Sequence, residues 1–145
     1  ESKLKKLKKR ARRNGVHNVE TRVIDSNKVI KKLHNSADRV LLDAPCSGLG
    51  VIKRNPDSKW KLEPEFVDRI MGVQQDILQN YSKMVKKGGQ MVYATCSILP
   101  QENTEQVKTF LASENGKEFE FVRERNVFAS ETGFDGFYMA LLKRK

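Results

Sequence analysis

The residues best suited to chemistry are the chain's two cysteines. Cys46 closes the stretch Val40-Leu41-Leu42-Asp43-Ala44-Pro45-Cys46, and Cys96 closes Met91-Val92-Tyr93-Ala94-Thr95-Cys96. A thiolate is a strong nucleophile where its surroundings lower its pKa. Two thiols at one edge, with the carboxyl of Asp43 beside them, can add to an electron-poor ring and later release it. The plainer alternative is a pair of inert buried cysteines packing as small hydrophobes. A disulfide between them is conceivable, but a reducing cytosol argues against it.

Each cysteine stretch begins as a short apolar run and ends in small or polar residues. Such a run reads as a strand buried on both faces, followed by a loop. The helical stretch between them is long enough for a right-handed crossover, so the two strands are expected to be parallel neighbours. Both cysteines then lie at carboxyl ends of strands, the edge where open α/β sheets bind ligands.

The remaining elements build that edge. Glu1 to Arg13 carries Leu4, Leu7 and Ala11 on one helical face among basic residues, and Asn14-Gly15 stops it. It reads either as a solvated face or as a contact for an RNA backbone. The helical pattern starts at the first residue without a cap or preceding strand, which suggests a boundary within a longer chain. Val19 to Ile24 alternates and predicts a strand ending at Asp25, and Asn27 to Leu33 predicts a short helix. Gly48 to Leu62 is a turn-rich loop holding Lys53, Arg54, Lys59, Lys61 and Trp60. Such a loop can hold phosphates and stack a base; equally, Trp60 can pin the loop to the core. The spacing from Glu63-Pro64-Glu65 through Val85 predicts a helix ended by Gly88-Gly89. Pro100 to Asn103 starts another. Phe119–Val122 and Phe137–Leu142 predict two final strands paired antiparallel, with a short strand possible near Val127. Alternating strands and helices argue an α/β sheet.

At 145 residues the chain is one domain by length. Its net charge of +10 favours a polyanion, and nucleic acid is the commonest. No long apolar segment suits a membrane. Two cysteines and two histidines are too few for the usual structural zinc sets, so no metal is expected. Gly48-Leu49-Gly50 lacks the third glycine and helix opening of a dinucleotide loop, and no Walker sequence is present. The zinc deaminase signature fails on its missing second cysteine spacing and His-x-Glu partner.

Asp43-Ala44-Pro45-Cys46-Ser47-Gly48, with Asn55-Pro56-Asp57 and Lys59-Trp60, resembles the hallmark of the Sun family of RNA cytosine-5 methyltransferases. Tyr93-Ala94-Thr95-Cys96-Ser97, with Pro100, Glu102 and Asn103, is similar to its second hallmark, and Asp135-Gly136-Phe137-Tyr138-Met139-Ala140 to its end. The resemblance covers nearly the whole chain. It implies a Rossmann-like class I methyltransferase sheet of order 3-2-1-4-5-7-6, truncated at its N-terminus, with the first two strands and the glycine-rich loop absent. Residues 1–145 would be the C-terminal part of one such domain, inactive alone and able to pair with a second copy as a homodimer.

The resemblance further implies S-adenosylmethionine as cofactor and RNA, ribosomal or transfer, as substrate. Cys96 would attack carbon 6 of cytosine, Asp43 would act at N3, and Cys46 would assist release. Asp25, Asp43 and Pro45 would contact the cofactor, and Lys53, Arg54, Lys59 and Trp60 the RNA. A cytoplasmic setting is expected, nucleolar in a eukaryote. Two rivals stand beside this reading: a non-catalytic RNA-binding module, and a DNA cytosine-5 methyltransferase, by whose analogy the Pro-Cys residue Cys46 would be the nucleophile.

Overall fold

A computed structural model describes residues 2–145, Lys61 by its backbone alone. Glu1, at the start of the expected first helix, lies outside the described residues. Strand β1 (Ala37–Asp43) runs parallel to β2 (Val85–Thr95), with Leu42 opposite Tyr93 and Asp43 opposite Ala94. Strand β4 (Phe137–Arg144) pairs antiparallel with β2 on one side and with β3 (Phe119–Val127) on the other. The order β1-β2-β4-β3 equals the last four strands, 4-5-7-6, that the resemblance implies.

Helices α4 (Pro64–Tyr81) and α5 (Thr104–Ala112) cover one face of this sheet. Alternation along the strands decides which side chains they meet. Leu42, Met91, Tyr93, Tyr138, Ala140 and Leu142 point to them and form the core with Leu78, Val107 and Phe110. Helix α4 starts well because Pro64 occupies its first turn, where a missing N–H costs nothing. On the opposite face Leu41, Val92 and Leu141 fall in one lateral row. Leu41 there is 70% exposed, and Val92 and Leu141 are half-buried.

Several expectations need correction. Residues 19–24 form no strand: Val19, Val23 and Ile24 are exposed, and a strand requires a ladder partner that the described residues do not supply. The helix α2 (Asn27–Lys31) is shorter than expected, and the stretch from Gly48 to Leu62, expected as a loop, contains a one-turn helix, α3 (Ser58–Lys61). The helix after Glu63 ends at Tyr81, not at Gly88-Gly89, and a 3₁₀ turn, Ser82–Met84, leads directly into β2. Val85 continues the helical spacing but is buried as the first residue of that strand, opposite Ala37. Gly88, at φ 76°, instead serves the irregularity in which the β1–β2 register shifts. Phe119–Val127 is one strand, longer than read from sequence and including the segment near Val127. The basic N-terminal helix, α1 (Ser2–Arg13), buries none of its described residues.

Candidate active site

The parallel register brings the ends of β1 and β2 side by side, and Ala44 N–H continues the ladder to the carbonyl of Ala94 at 2.9 Å. Three residues beyond Asp43 and one beyond Thr95, the two thiols meet: Cys46 Sγ lies 3.4 Å from Cys96 Sγ. Both cysteines are free and half-buried. Burial pushes the Cys46 thiol up to about 12, reinforced by the neighbouring sulfur. At neutral pH Cys46 therefore keeps its proton. Asp43 and Pro45 are exposed at this same edge.

Beneath the thiols lies a buried polar cluster; Ser47, Ser97, Glu102 and Asn103 belong to the two hallmark stretches, and Gln74 is the member that the sequence reading did not name. Glu102 is fully buried and accepts four hydrogen bonds. Its Oε1 takes the Ser47 N–H at 2.8 Å and Gln74 Nε2 at 3.1 Å. Its Oε2 takes the hydroxyl of Ser47 at 2.5 Å and that of Ser97. Gln74 also donates to the carbonyl of Pro45 at 2.9 Å. One carboxyl side chain thus holds the residue after each cysteine and has its buried oxygens paired with four donors. On the Cys96 side, Thr95 Oγ1 donates to Asn103 Oδ1 at 2.5 Å, and Asn103 Nδ2 donates to the Ser97 carbonyl at 3.0 Å. Tyr93 OH donates to the Glu102 carbonyl at 2.8 Å, and burial raises the pKa of this phenol.

Glycine is required where two loops cross over the thiols. Gly50 N–H donates to the Cys96 carbonyl at 2.9 Å, and Gly136 N–H donates to the Gly50 carbonyl at 2.7 Å. A Cβ on Gly50 would stand 2.2 Å from the Gly136 oxygen. Gly48-Leu49-Gly50 is therefore a close backbone crossing and not the opening of a phosphate loop.

The basic loop reaches the same crossing. Lys53 Nζ donates to the Gly133 carbonyl at 3.3 Å, and Arg54 pairs with Asp135 at 2.5 Å. Lys59 Nζ sits 4.7 Å from the Trp60 ring centre. Trp60 does not pin its loop to the core: it is 79% exposed. Asp25 is not gathered with Asp43 and Pro45. It lines a separate cavity of about 440 Å³ with Ile24, Ile30, Val73, Ile77 and Tyr81, and no lining residue belongs to either cysteine loop. Its lining mixes apolar and polar residues, and the reactive groups stand instead at the thiol edge. No cluster of three potential metal ligands occurs among the described residues.

The family model for 16S rRNA methyltransferase RsmB/F matches residues 1–143. The chain belongs to that family. It is 42% identical over 108 residues to ribosomal RNA small subunit methyltransferase B of Proteus mirabilis, covering 74% of this chain and 25% of that protein. Over 112 residues it is 43% identical to the Vibrio vulnificus protein of the same name, covering 74% of this chain and 26% of that one. The chain thus spans about a quarter of the length of these curated relatives. Among solved structures, PH0851 superposes with a TM-score of 0.89 at 30% identity, over 97% of this chain and 34% of that one. NSun6 from Pyrococcus horikoshii, crystallised with SFG, gives 0.83 at 24% identity, over 99% of this chain and 39% of that one, and speaks to fold alone. The fold is a Rossmann-like methyltransferase sheet, represented among the described residues by four strands. No helix among the described residues is long and apolar enough to cross a membrane.

Proposed function

We propose that this chain is the thiol-bearing part of an enzyme that methylates carbon 5 of cytosine in RNA, with ribosomal RNA as the favoured class. The observation that carries the reading is the pair of free thiols 3.4 Å apart at the carboxyl ends of parallel strands. Membership of the RsmB/F family supports it. Cys96 forms the bond to carbon 6 of the ring, and the electron pair displaced from the 5,6 double bond makes carbon 5 nucleophilic. Asp43, exposed at the same edge, hydrogen-bonds N3 and stabilises the adduct. S-adenosylmethionine, when bound, supplies an electrophilic methyl group to carbon 5. Once a base has taken the carbon-5 proton, its C–H electrons restore the 5,6 double bond, the bond to Cys96 breaks and the electrons of that bond return to the sulfur. Cys46 lies 3.4 Å away and assists the release of the product from Cys96.

The residues present fit the cofactor in its chemistry. Asp43 and Pro45 flank the thiol edge, and Asp25 offers an acceptor for the adenine amino group in a groove where Ile30, Val73 and Ile77 alternate with Asp76 and Asn80. Lys53, Arg54, Lys59 and Trp60 hold the RNA from the adjoining loop. By themselves the 145 residues are expected not to turn over, because the glycine-rich loop and the acidic residue that the Sun resemblance assigns to the cofactor are not among them. A second copy, seated on the row of Leu41, Val92 and Leu141, is the proposed partner of the isolated chain, and the cytoplasm is its proposed compartment.

The test places these residues in the corresponding stretch of the Proteus mirabilis relative and supplies tritiated S-adenosylmethionine with matched RNA and DNA. RNA is expected to be labelled and DNA not. Cys96→Ser should abolish turnover. Cys46→Ala should accumulate a protein–RNA adduct that survives a denaturing gel. An adduct formed by Cys96→Ser instead would reverse the roles of the thiols, and label on DNA alone would favour the DNA reading. Turnover unaffected by either substitution would leave only an RNA-binding module.

A further inference from the structure

The two most exposed large hydrophobic side chains among the described residues are Trp60, at 79%, and Phe134, at 75%. Single exposed hydrophobics are ordinary, so exposure alone carries nothing. The placement of Phe134 does. Phe134 lies between the two points at which its loop is tied to the basic loop, Lys53 on the Gly133 carbonyl and Arg54 on Asp135. Its own N–H donates to Thr132 Oγ1 at 3.2 Å, and Gly133 turns the chain at φ 74°. Two residues further, Gly136 closes on Gly50, which bonds the backbone of Cys96. The backbone around Phe134 is thus fastened on both sides, a short chain distance from the thiols, while its ring stands in water.

We propose that Phe134 and Trp60 form a stacking platform for unpaired nucleotides that flank the target base in a single-stranded RNA segment. The inference rests on the RNA reading above and names the part of the substrate that these loops recognise. An aromatic face accepts any base, and cations beside it take the phosphates. Lys53, Arg54 and Lys59 supply those cations, in a chain of net charge +10. A protein partner would call for a continuous apolar patch, not two rings set among basic side chains. The Arg54–Asp135 pair is largely solvated on its arginine side, so Arg54 can exchange to a phosphate at small cost.

The whole 145-residue chain is titrated against a fluorescein-labelled single-stranded RNA of uridines around one cytosine, about a dozen nucleotides long. A second probe is the same RNA with abasic sites on both sides of the cytosine. Trp60 is the chain's one tryptophan, so its intrinsic emission reports stacking directly. The intact RNA is expected to quench Trp60 and to bind more tightly than the abasic one. Phe134→Ala should weaken binding about 5- to 100-fold, with little change in the salt slope because no phosphate contact is lost. Phe134→Trp should restore affinity, which a merely structural role would not do. Salt-dependent binding that is equal for wild type and Phe134→Ala, or equal for intact and abasic RNA, overturns the platform and leaves the RNA reading standing. Absence of binding to either RNA by the wild-type chain overturns the platform, while the RNA reading falls only if the full-length relative carrying these residues also leaves RNA unlabelled.

Discussion

Cys46 and Cys96 are chemically alike in sequence and unlike in place. Burial raises Cys46 to about 12 from the ordinary 9.0. The folded state therefore retains a proton that the unfolded chain releases between those values. Stability from this group is intact below about pH 9 and is lost as pH climbs toward about 12. In the Cys96→Ser variant, where Cys46 is the sole thiol, the rate of iodoacetamide modification should rise with a midpoint well above 9. A midpoint at or below the ordinary thiol value would mean that burial does not govern this group. Glu102 gives a second prediction at this scale. Glu102→Ala leaves the Ser47 N–H, two hydroxyls and Gln74 without their acceptor, and should cost at least about 3 kcal/mol in urea unfolding. Glu102→Gln keeps the shape but sets an amide against donors, so it should recover only part of that loss.

At the level of elements, the two cysteine strands were legible because each is a continuous apolar run ending in turn residues, and their parallel pairing followed from the helix between them. The end of α4 was not, since Val85 sits at a helical position in sequence and at the head of a strand in space. Residues 19–24 alternate as a strand does, yet alternation cannot supply a ladder. The cluster under the thiols was legible only in part: the hallmark stretches named Ser47, Ser97, Glu102 and Asn103, but not that they meet, nor Gln74, which is 28 residues from Glu102. Polar residues at such separations leave no local pattern. The exposure of Trp60 was undecided for a related reason, because an aromatic in a basic loop suits both a pin and a platform. The crossing of Gly50 with Gly136 carries a prediction of its own. Gly50→Ala drives a methyl against the Gly136 carbonyl and the Cys96 backbone, which are main chain and cannot rotate away. It should destabilise the chain by about 1–3 kcal/mol. Unchanged unfolding would show that the two loops separate freely.

At the scale of the molecule, helices α4 and α5 cover one face of the sheet, and on the other face of the described residues Leu41, Val92 and Leu141 form an apolar row, with β1 as the edge strand of the described sheet. Such a surface favours association. Sedimentation of the isolated chain should reveal a concentration-dependent dimer, and Leu41→Lys should shift it to monomer. A wild-type chain monomeric at all concentrations would remove the second copy as partner. The carboxylate shared by both cysteine loops has a consequence on a longer timescale. Because Glu102 binds Ser47 and Ser97 through one carboxylate, neither loop is free to drift without the other. A crossover between diverged relatives that falls from Ser47 to Ser97 would unite halves fitted to different partners. The block from Cys46 to Glu102 should therefore be exchangeable only as one unit, and substitutions at Ser47, Ser97 and Glu102 should be tolerated together rather than singly.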